Sequence, residues 1–303
     1  MKSALILGGT RFFGKKLVWQ LLRQGVEVTI ATRGLSKDPF GTEVDRVIVD
    51  RMERDSMSAA LRHGQWDVVF DQSCFSPEEA RDAFECLRGR IGRYVFTSTV
   101  AVYDRGLNHQ ETDFNPLAYP VRFHSRMHYQ GVSGYQEAKR ASEAYLFQSA
   151  DVPVVAARFP VVVGEDDPTE RLRFHVNLVA NRQPIHVPDV YERVGFIAAD
   201  EAAGFLLAMG TNDFSGAINP GCRESLSLLE VIELIEECCD AKAELTGHPA
   251  DPVSPYAMFS ELTANTDKAG ELGFEFADVR ELLNRLVRYY LGNQALKRVS
   301  GVG

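Results

Sequence analysis

Apolar residues along this chain follow two spacings, and the spacings alternate. The run Ala4–Leu7 is short and continuous, as in a strand buried on both faces. Phe13, Leu17, Val18, Leu21 and Leu22 then recur at helical spacing until Gly25 stops them, which predicts a helix over about 13–24. Val26–Ile30 and Arg46–Val49 read as strands two and three, the latter ending at Asp50, and segments 54–62 and 77–88 as helices. Asp67–Phe70 and Arg93–Thr97 are strands four and five; a helix from Gly134 to about Ser149 and a sixth strand over Pro153–Arg158 follow. Strands alternating with helices pair in parallel through right-handed crossovers, so the fold class is α/β with a doubly wound parallel sheet. Residues 104–133 break the rhythm and predict a long loop beside the functional site. Beyond residue 161, helical stretches near 169–181, 200–210, 226–239 and 279–291 are separated by short strands and turns. Two parts are expected: 1–160, with a core extending into later segments such as 193–210, and a smaller, discontinuous C-terminal lobe over 161–303.

Composition narrows the class. The 303 residues, 45% hydrophobic and 25% charged, suffice for a large core without staples. A net charge of -9 argues against broad binding to nucleic acid or acidic lipid but leaves anionic small molecules open. The five cysteines, at 74, 86, 222, 238 and 239, form no CxxC pair and no even framework, which points to reduced thiols and a cytoplasmic protein. The first strand begins almost at Met1, leaving no room for a signal or transit peptide, and no apolar stretch approaches the length of a membrane span.

The residues able to carry chemistry sit where this pattern places strand ends. Gly8-Gly9-Thr10-Arg11-Phe12-Phe13-Gly14 lies between the first strand and the first helix, a turn whose N–H groups and helix N-terminus can face the pyrophosphate of a dinucleotide. Tyr135 and Lys139 are four apart on one helix face; a cation beside a phenol favours its ionised form and suits it to proton transfer, and the lysine can also reach a ribose. Thr97-Ser98-Thr99 closes strand five at the carboxyl edge of the sheet. His124 and His128 have i, i+4 spacing without an accompanying carboxylate pattern, so no metal site is expected, and no Gly-x-Ser-x-Gly elbow is present.

In order and spacing these motifs resemble the extended short-chain dehydrogenase/reductases of the NAD-dependent epimerase/dehydratase family. Phe96–Tyr103 is similar to the family's strand-five segment, which implies a catalytic role for Thr99 with Ser98 as a substrate-side neighbour; Tyr135 and Lys139 match the catalytic Tyr and Lys. Arg158–Gly164 resembles the stretch after strand six that places Pro160 beside the nicotinamide, Phe196–Asp200 the segment returning to the core, and Asn219 and Lys268 fit later positions. The resemblance implies a Rossmann NAD(P)-binding domain, a substrate lobe, and a homodimer paired through helices that include the one carrying Tyr135. Two departures stand out. Arg11 replaces a usual glycine, as in an atypical subgroup containing stem-loop-binding proteins, and Asp71–Pro77 differs from the usual loop after strand four.

The expected cofactor set is Gly8, Thr10, Arg11, Phe12, Phe13, Gly14, Arg33, Asp50, Arg51, Gln72, Ser73, Thr97 and Pro160. NADP is favoured over NAD, because strand two ends in Ala31-Thr32-Arg33 with no acid for a ribose hydroxyl, and guanidinium groups at Arg33 and Arg11 suit a 2′-phosphate. Arg193, seven residues before Asp200, matches the arginine that grips a nucleotide diphosphate in sugar-nucleotide epimerases; Arg171, with Arg173 nearby, could cap the same pocket. Two functions stay open. One is an epimerase or reductase acting on a sugar nucleotide or similar polar alcohol, with dehydration disfavoured because Val100-Ala101 supplies no acid/base pair; the other is an NADP-sensing or RNA-associated binding protein.

Overall fold

Ala4–Leu7 are all buried because β1 (Ser3–Leu7) runs through the middle of a parallel sheet. The computed structural model describes residues 1–248, 250–258 and 261–300, the last stretch, 294–300, by backbone alone. The remaining strands of this sheet are β2 (Glu27–Thr32), β3 (Asp45–Ile48), β4 (Trp66–Asp71), β5 (Ile91–Thr99), Val154–Phe159 and Gly216–Ile218. Their spatial order is Gly216–Ile218, Val154–Phe159, β5, β4, β1, β2, β3, and every pairing is parallel. The chain starts in the centre, moves one way through β2 and β3, then returns to add β4 and β5 on the other side. That reversal opens a crevice at the carboxyl ends of β1 and β4, where ligands bind in doubly wound sheets. Helices α1 (Phe12–Arg23), α2 (Arg54–Leu61), α3 (Pro77–Leu87), α4 (Gly131–Ser149) and Ala199–Thr211 connect and cover it. Leu5, Ile6, Val69 and Val95 are fully buried; each such side chain is worth about 1.5–3 kcal/mol.

The chain forms two compact units. The first comprises Met1–Asp104, Gln110–Phe159 and Ala199–Pro220; the second comprises Arg105–His109, Pro160–Ala198 and Gly221–Gly303. The return to the first unit thus runs over 199–220 and leaves Arg193 in the second. Part of the expected loop is also regular, since Gly106–His109 is a strand beside Leu262–Ala264 in the second unit. That unit packs helices Arg171–Ala180, Leu228–Cys239 and Val279–Ser300 around Leu172, Val176, Ile232, Ile235 and Leu283, with Ser227 and Glu230 closing a capping box at the start of Leu228–Cys239.

A buried polar cluster fixes the end of β5. Arg158 and Glu143 are both fully buried and ion-paired, Arg158 Nε lying 3.0 Å from Glu143 Oε1. The same guanidinium donates to Tyr103 Oη at 2.9 Å, to the Glu111 carbonyl at 2.8 Å and to the Phe114 carbonyl at 3.1 Å. Glu143 also accepts from Ser98 Oγ at 2.7 Å, and Tyr103 donates to Asn219 Oδ1 at 2.7 Å. Burial pushes the Tyr103 phenol up to about 12, with Arg158 opposing, so it stays a neutral donor.

The later part of α4 is covered on every side. Ala141–Leu146 are six consecutive buried residues, more than one turn of helix, so all faces are covered. One cover is irregular chain: Gln148 Nε2 donates to the carbonyls of Pro116 and Tyr119, both at 2.8 Å, and the Phe123 ring stands 5.6 Å from that of Tyr145. The loop thus covers part of the helix that is expected to pair with a second copy.

In the second unit His175 is 1% exposed and stacked 4.9 Å from Tyr256. Its Nδ1 must donate to the Arg171 carbonyl at 2.8 Å, which leaves Nε2 to accept from Ser254 Oγ, also at 2.8 Å. Burial lowers its pKa to about 4, against 6.5 unperturbed. The unfolded chain thus binds the extra proton more readily, and the stabilisation held above pH 6.5 is lost as pH falls toward 4. Between pH 7 and pH 4.5 urea unfolding should show about 2 kcal/mol more loss of stability in wild type than in His175→Gln; equal pH dependence would refute the assignment. Separately, Arg158→Met should cost about 3–5 kcal/mol, because it strands a buried carboxylate. A double-mutant cycle with Glu143→Leu should show the two losses to be far from additive, and an Arg158→Met loss below about 1 kcal/mol would contradict the role given to the pair.

Candidate functional site

The turn after β1 has a shape that only glycines allow. Gly8 and Gly9 have φ of +111° and +86°, in the left-handed region, and a Cβ on Gly9 would lie 2.9 Å from Ile6 Cγ2 and 3.2 Å from Val18 Cγ2. A Cβ on Gly14 would collide with Gln72 Oε1 and stand 3.1 Å from Gly9 Cα, so its absence lets α1 approach the turn. α1 begins after Arg11, whose backbone is extended and whose side chain makes no cap; the first turn holds no acid. The positive end of the helix is thus left for an external acceptor. Phe12 adopts φ +47°, while Phe13 packs 5.9 Å from Phe159, a structural contact.

A cavity of about 260 Å³ opens from this turn, lined by Gly8, Thr10, Arg33, Asp50, Ser73 and Phe75 among others. Four arginines border it, Arg11, Arg33, Arg51 and Arg126. Arg11 Nη2 donates to Ser36 Oγ at 3.1 Å, and Arg33 is exposed with no hydrogen bond or ion pair among the described residues. Asp50 Oδ1 accepts from the Met52 backbone at 3.0 Å.

Arg51 differs from expectation. Its guanidinium is spent on the fully buried Asp71, at 2.6 and 2.9 Å, and on Ser73 Oγ at 2.9 Å, and it lies 3.3 Å from Glu79 Oε2. Asp71 also accepts from Tyr94 Oη at 2.7 Å. Burial works against the Asp71 charge, but Arg51 prevails and holds the carboxyl below its ordinary range. Arg51 is thus a wall of the cavity already neutralised by its partners, which leaves little of its charge for a phosphate.

At the ends of β4 and β5 two buried polar atoms have no partner, Gln72 Nε2 and Thr97 Oγ1. Such groups call for an acceptor or donor from outside the chain. Together with the uncapped helix start and the glycine turn, they fit a dinucleotide.

The residues expected to do chemistry lie next to this edge. Lys139 is 5% exposed and donates from Nζ to the Thr97 carbonyl at 3.0 Å, with its charge 4.8 Å from the centre of the Phe96 ring. Tyr135, one helical turn earlier on α4, is half-buried with its ring 6.4 Å from Phe75. Thr99 is 9% exposed; its Oγ1 accepts from Ala101 N at 3.2 Å, and its O–H remains able to donate. Ser98 does not join them. Side chains alternate along β5, and Ser98 points inward, its hydroxyl spent on Glu143.

The expected residues of the second unit have local partners. Arg193 Nε donates to Ser225 Oγ at 3.0 Å, Nη2 donates to the Ser225 carbonyl, and Nη1 lies 3.2 Å from Glu230. Arg171 Nε donates to Thr169 Oγ1 at 2.9 Å, and Pro160 stands close to Gly195 and Gly221. The cavity edge also depends on residues that sequence reasoning missed, Phe75, Glu79 and Arg126. Ser76-x-x-Glu79 is a capping-box spacing that could have marked Glu79; nothing local marked Arg126. Among the described residues no cluster of three or more His, Cys, Asp or Glu could hold a metal ion, and no helix is long and apolar enough to cross a membrane.

Known proteins agree with this architecture. The UDP-glucose 4-epimerase of Thermus thermophilus, solved in complex with NAD, aligns over 96% of this chain and 99% of its own, with 20% identity and a TM-score of 0.73. The UDP-glucose 4-epimerase of Thermotoga maritima, solved with UDP-glucose, covers 96% and 99% at 16% identity and a TM-score of 0.75. The dTDP-glucose 4,6-dehydratase of Bacillus anthracis, in complex with NAD, covers 97% and 98% at 15% identity and a TM-score of 0.73. At these identities the likeness is one of fold. In sequence, the chloroplast stem-loop binding protein of 41 kDa b of Arabidopsis thaliana is 28% identical over 236 residues, 72% of this chain and 57% of that protein, so the chain spans little more than half of its length. The NAD dependent epimerase/dehydratase pattern matches residues 4–219, most of the sequence, and the chain belongs to that family.

Proposed function

We propose that this protein is an epimerase- or reductase-type oxidoreductase that acts on a polar alcohol, with a sugar nucleotide as the leading substrate class and NADP preferred over NAD. The observation that carries the reading is Lys139, buried and fixed to the Thr97 carbonyl beside the unpartnered Thr97 hydroxyl, with Tyr135 one turn away at the carboxyl edge of β5. A bound nicotinamide dinucleotide would supply the hydride acceptor and donor. Gly8, Thr10 and the start of α1 would hold its pyrophosphate, and Gln72 and Thr97 would meet it with their unpartnered groups. Tyr135 takes the proton from the substrate hydroxyl, Thr99 donates a hydrogen bond to the same oxygen, and Lys139 keeps two N–H donors for a ribose after its bond to Thr97. The NADP preference rests on Arg33, exposed and without an ion pair among the described residues, and on Arg11 with Ser36 across the end of β2, whose own last residues carry no acid. Arg193 is left out of the reading because its guanidinium is held by Ser225 and Glu230.

The second reading, a nucleotide-sensing or RNA-associated protein, is favoured by one observation, the stem-loop-binding relative. The net charge of -9 and the retained Thr99, Tyr135 and Lys139 weigh against it. Dinucleotide titrations separate the proposals. Arg33→Ala should weaken NADPH binding about tenfold and leave NADH within about twofold. Equal affinity for both cofactors, untouched by the substitution, would remove the NADP preference. Tyr135→Phe should keep NADPH binding and abolish hydride transfer in a screen of sugar nucleotides; no turnover or binding of any of them by wild type would turn the balance to the second reading.

A further inference from the structure

Along the loop before α4, Arg122, Phe123, His124, Ser125, Met127 and His128 are exposed, and Arg126 alone among them turns inward. Its guanidinium donates from Nε and Nη2 to the two oxygens of Glu79, the second bond being 2.8 Å, and comes within 3.5 Å of the Ser73 carbonyl. It also lies 5.2 Å above the Phe75 ring. Glu79, 4% exposed, accepts the Phe75 N–H at 3.0 Å, so one carboxylate holds both the backbone of Phe75 and the cation over its ring. The other side of that ring's surroundings is chemical: Tyr135 is 6.4 Å away and Lys139 Nζ 5.4 Å. Arg126, Phe75 and Ser73 border the cavity that starts at Gly8 and Thr10.

We propose that Arg126 and Phe75 form a latch over the dinucleotide cavity: while Arg126 is bound to Glu79 the loop is fastened and Phe75 is pressed toward Tyr135 and Lys139, and the cofactor leaves only after that pair opens. The inference rests on the dinucleotide reading above. The ends of the moving part are defined. Phe123 stays anchored by the Tyr145 ring and by Arg81, 4.7 Å over it, and Gly131, with φ +66°, begins α4 on the other side. Opening is reversible for an electrostatic reason. When Arg126 swings out, Glu79 keeps the Phe75 N–H and shares with Asp71 the Arg51 guanidinium 3.3 Å away, so the open state holds one buried carboxylate charge uncompensated, which draws Arg126, 31% exposed at its side chain, back from water.

The test compares wild type, Arg126→Gln and Arg126→Lys by stopped-flow dissociation of NADPH and NADH and by chymotrypsin cleavage after Phe123 and Tyr129. Arg126→Gln should raise the dissociation rate constant about tenfold with little change in association, since it loses a bidentate charged pair and a cation–π contact. Lysine, which keeps the charge but not the fork, should fall between. Without cofactor, and well below the Tm of both proteins, cleavage should be several-fold faster in Arg126→Gln than in wild type, and NADPH should protect the wild type but not the variant. Binding with an unaltered dissociation rate and unaltered cleavage in Arg126→Gln would overturn the latch alone. A wild type that binds neither dinucleotide would overturn the cofactor reading and the gating with it, while slower cleavage of wild type than of Arg126→Gln would still support the fastening of the loop by Glu79.

Discussion

A guanidinium and a carboxylate sealed from water hold the first unit in register. Arg158 and Glu143 come from a sheet strand and from α4, and the remaining donors of Arg158 fasten two loop carbonyls and a phenol. Neither charge tolerates isolation at this depth, so strand, helix and loop must be placed together or not at all. Ser98 is drawn into the same cluster, and the alternation along β5 then assigns Thr97 and Thr99 to the functional edge. The orientation of the catalytic candidates is in this sense a by-product of how a buried ion pair is satisfied.

The cavity is organised by a different electrostatic rule. Of its four arginines, Arg51 and Arg126 are neutralised by Asp71 and Glu79, and Arg11 and Arg33 have no carboxylate partner among the described residues. Positive charge without a carboxylate partner among the described residues thus lies at the end of β2, and near Phe75 it is supplied by Lys139, whose ammonium is held by the Thr97 carbonyl. An anionic ligand experiences direction as well as attraction, because Arg11 and Arg33 lie at one end of the cavity while Arg51 and Arg126 are matched by Asp71 and Glu79.

The βαβ rhythm was legible because it depends on local periods: Ala4–Leu7, the spacing of α1 and the glycine turn each announce themselves within a dozen residues. The pairing of Tyr135 with Lys139 was legible for the same reason, being one turn of one helix. What escaped was long-range. Arg51 and Asp71 are twenty positions apart, Arg126 and Glu79 forty-seven, Ser98 and Glu143 forty-five, and no period in the chain encodes such partners. Residues 105–109 misled for a related reason. Their strand pairs with Leu262–Ala264, so its signal lies in a segment far along the chain.

The wrapping of α4 by chain without regular structure changes what that loop is. Pro116, Tyr119 and Phe123 serve as an outer layer for the buried stretch Ala141–Leu146, so the segment is part of the core's wall as well as the approach to the site. Loops of this kind are usually the most freely exchanged parts of an enzyme, the route by which one scaffold acquires new substrates. Here exchange would uncover Tyr145 and its neighbours, and divergence of substrate preference is channelled toward positions that cover nothing, such as His124, Met127 and His128.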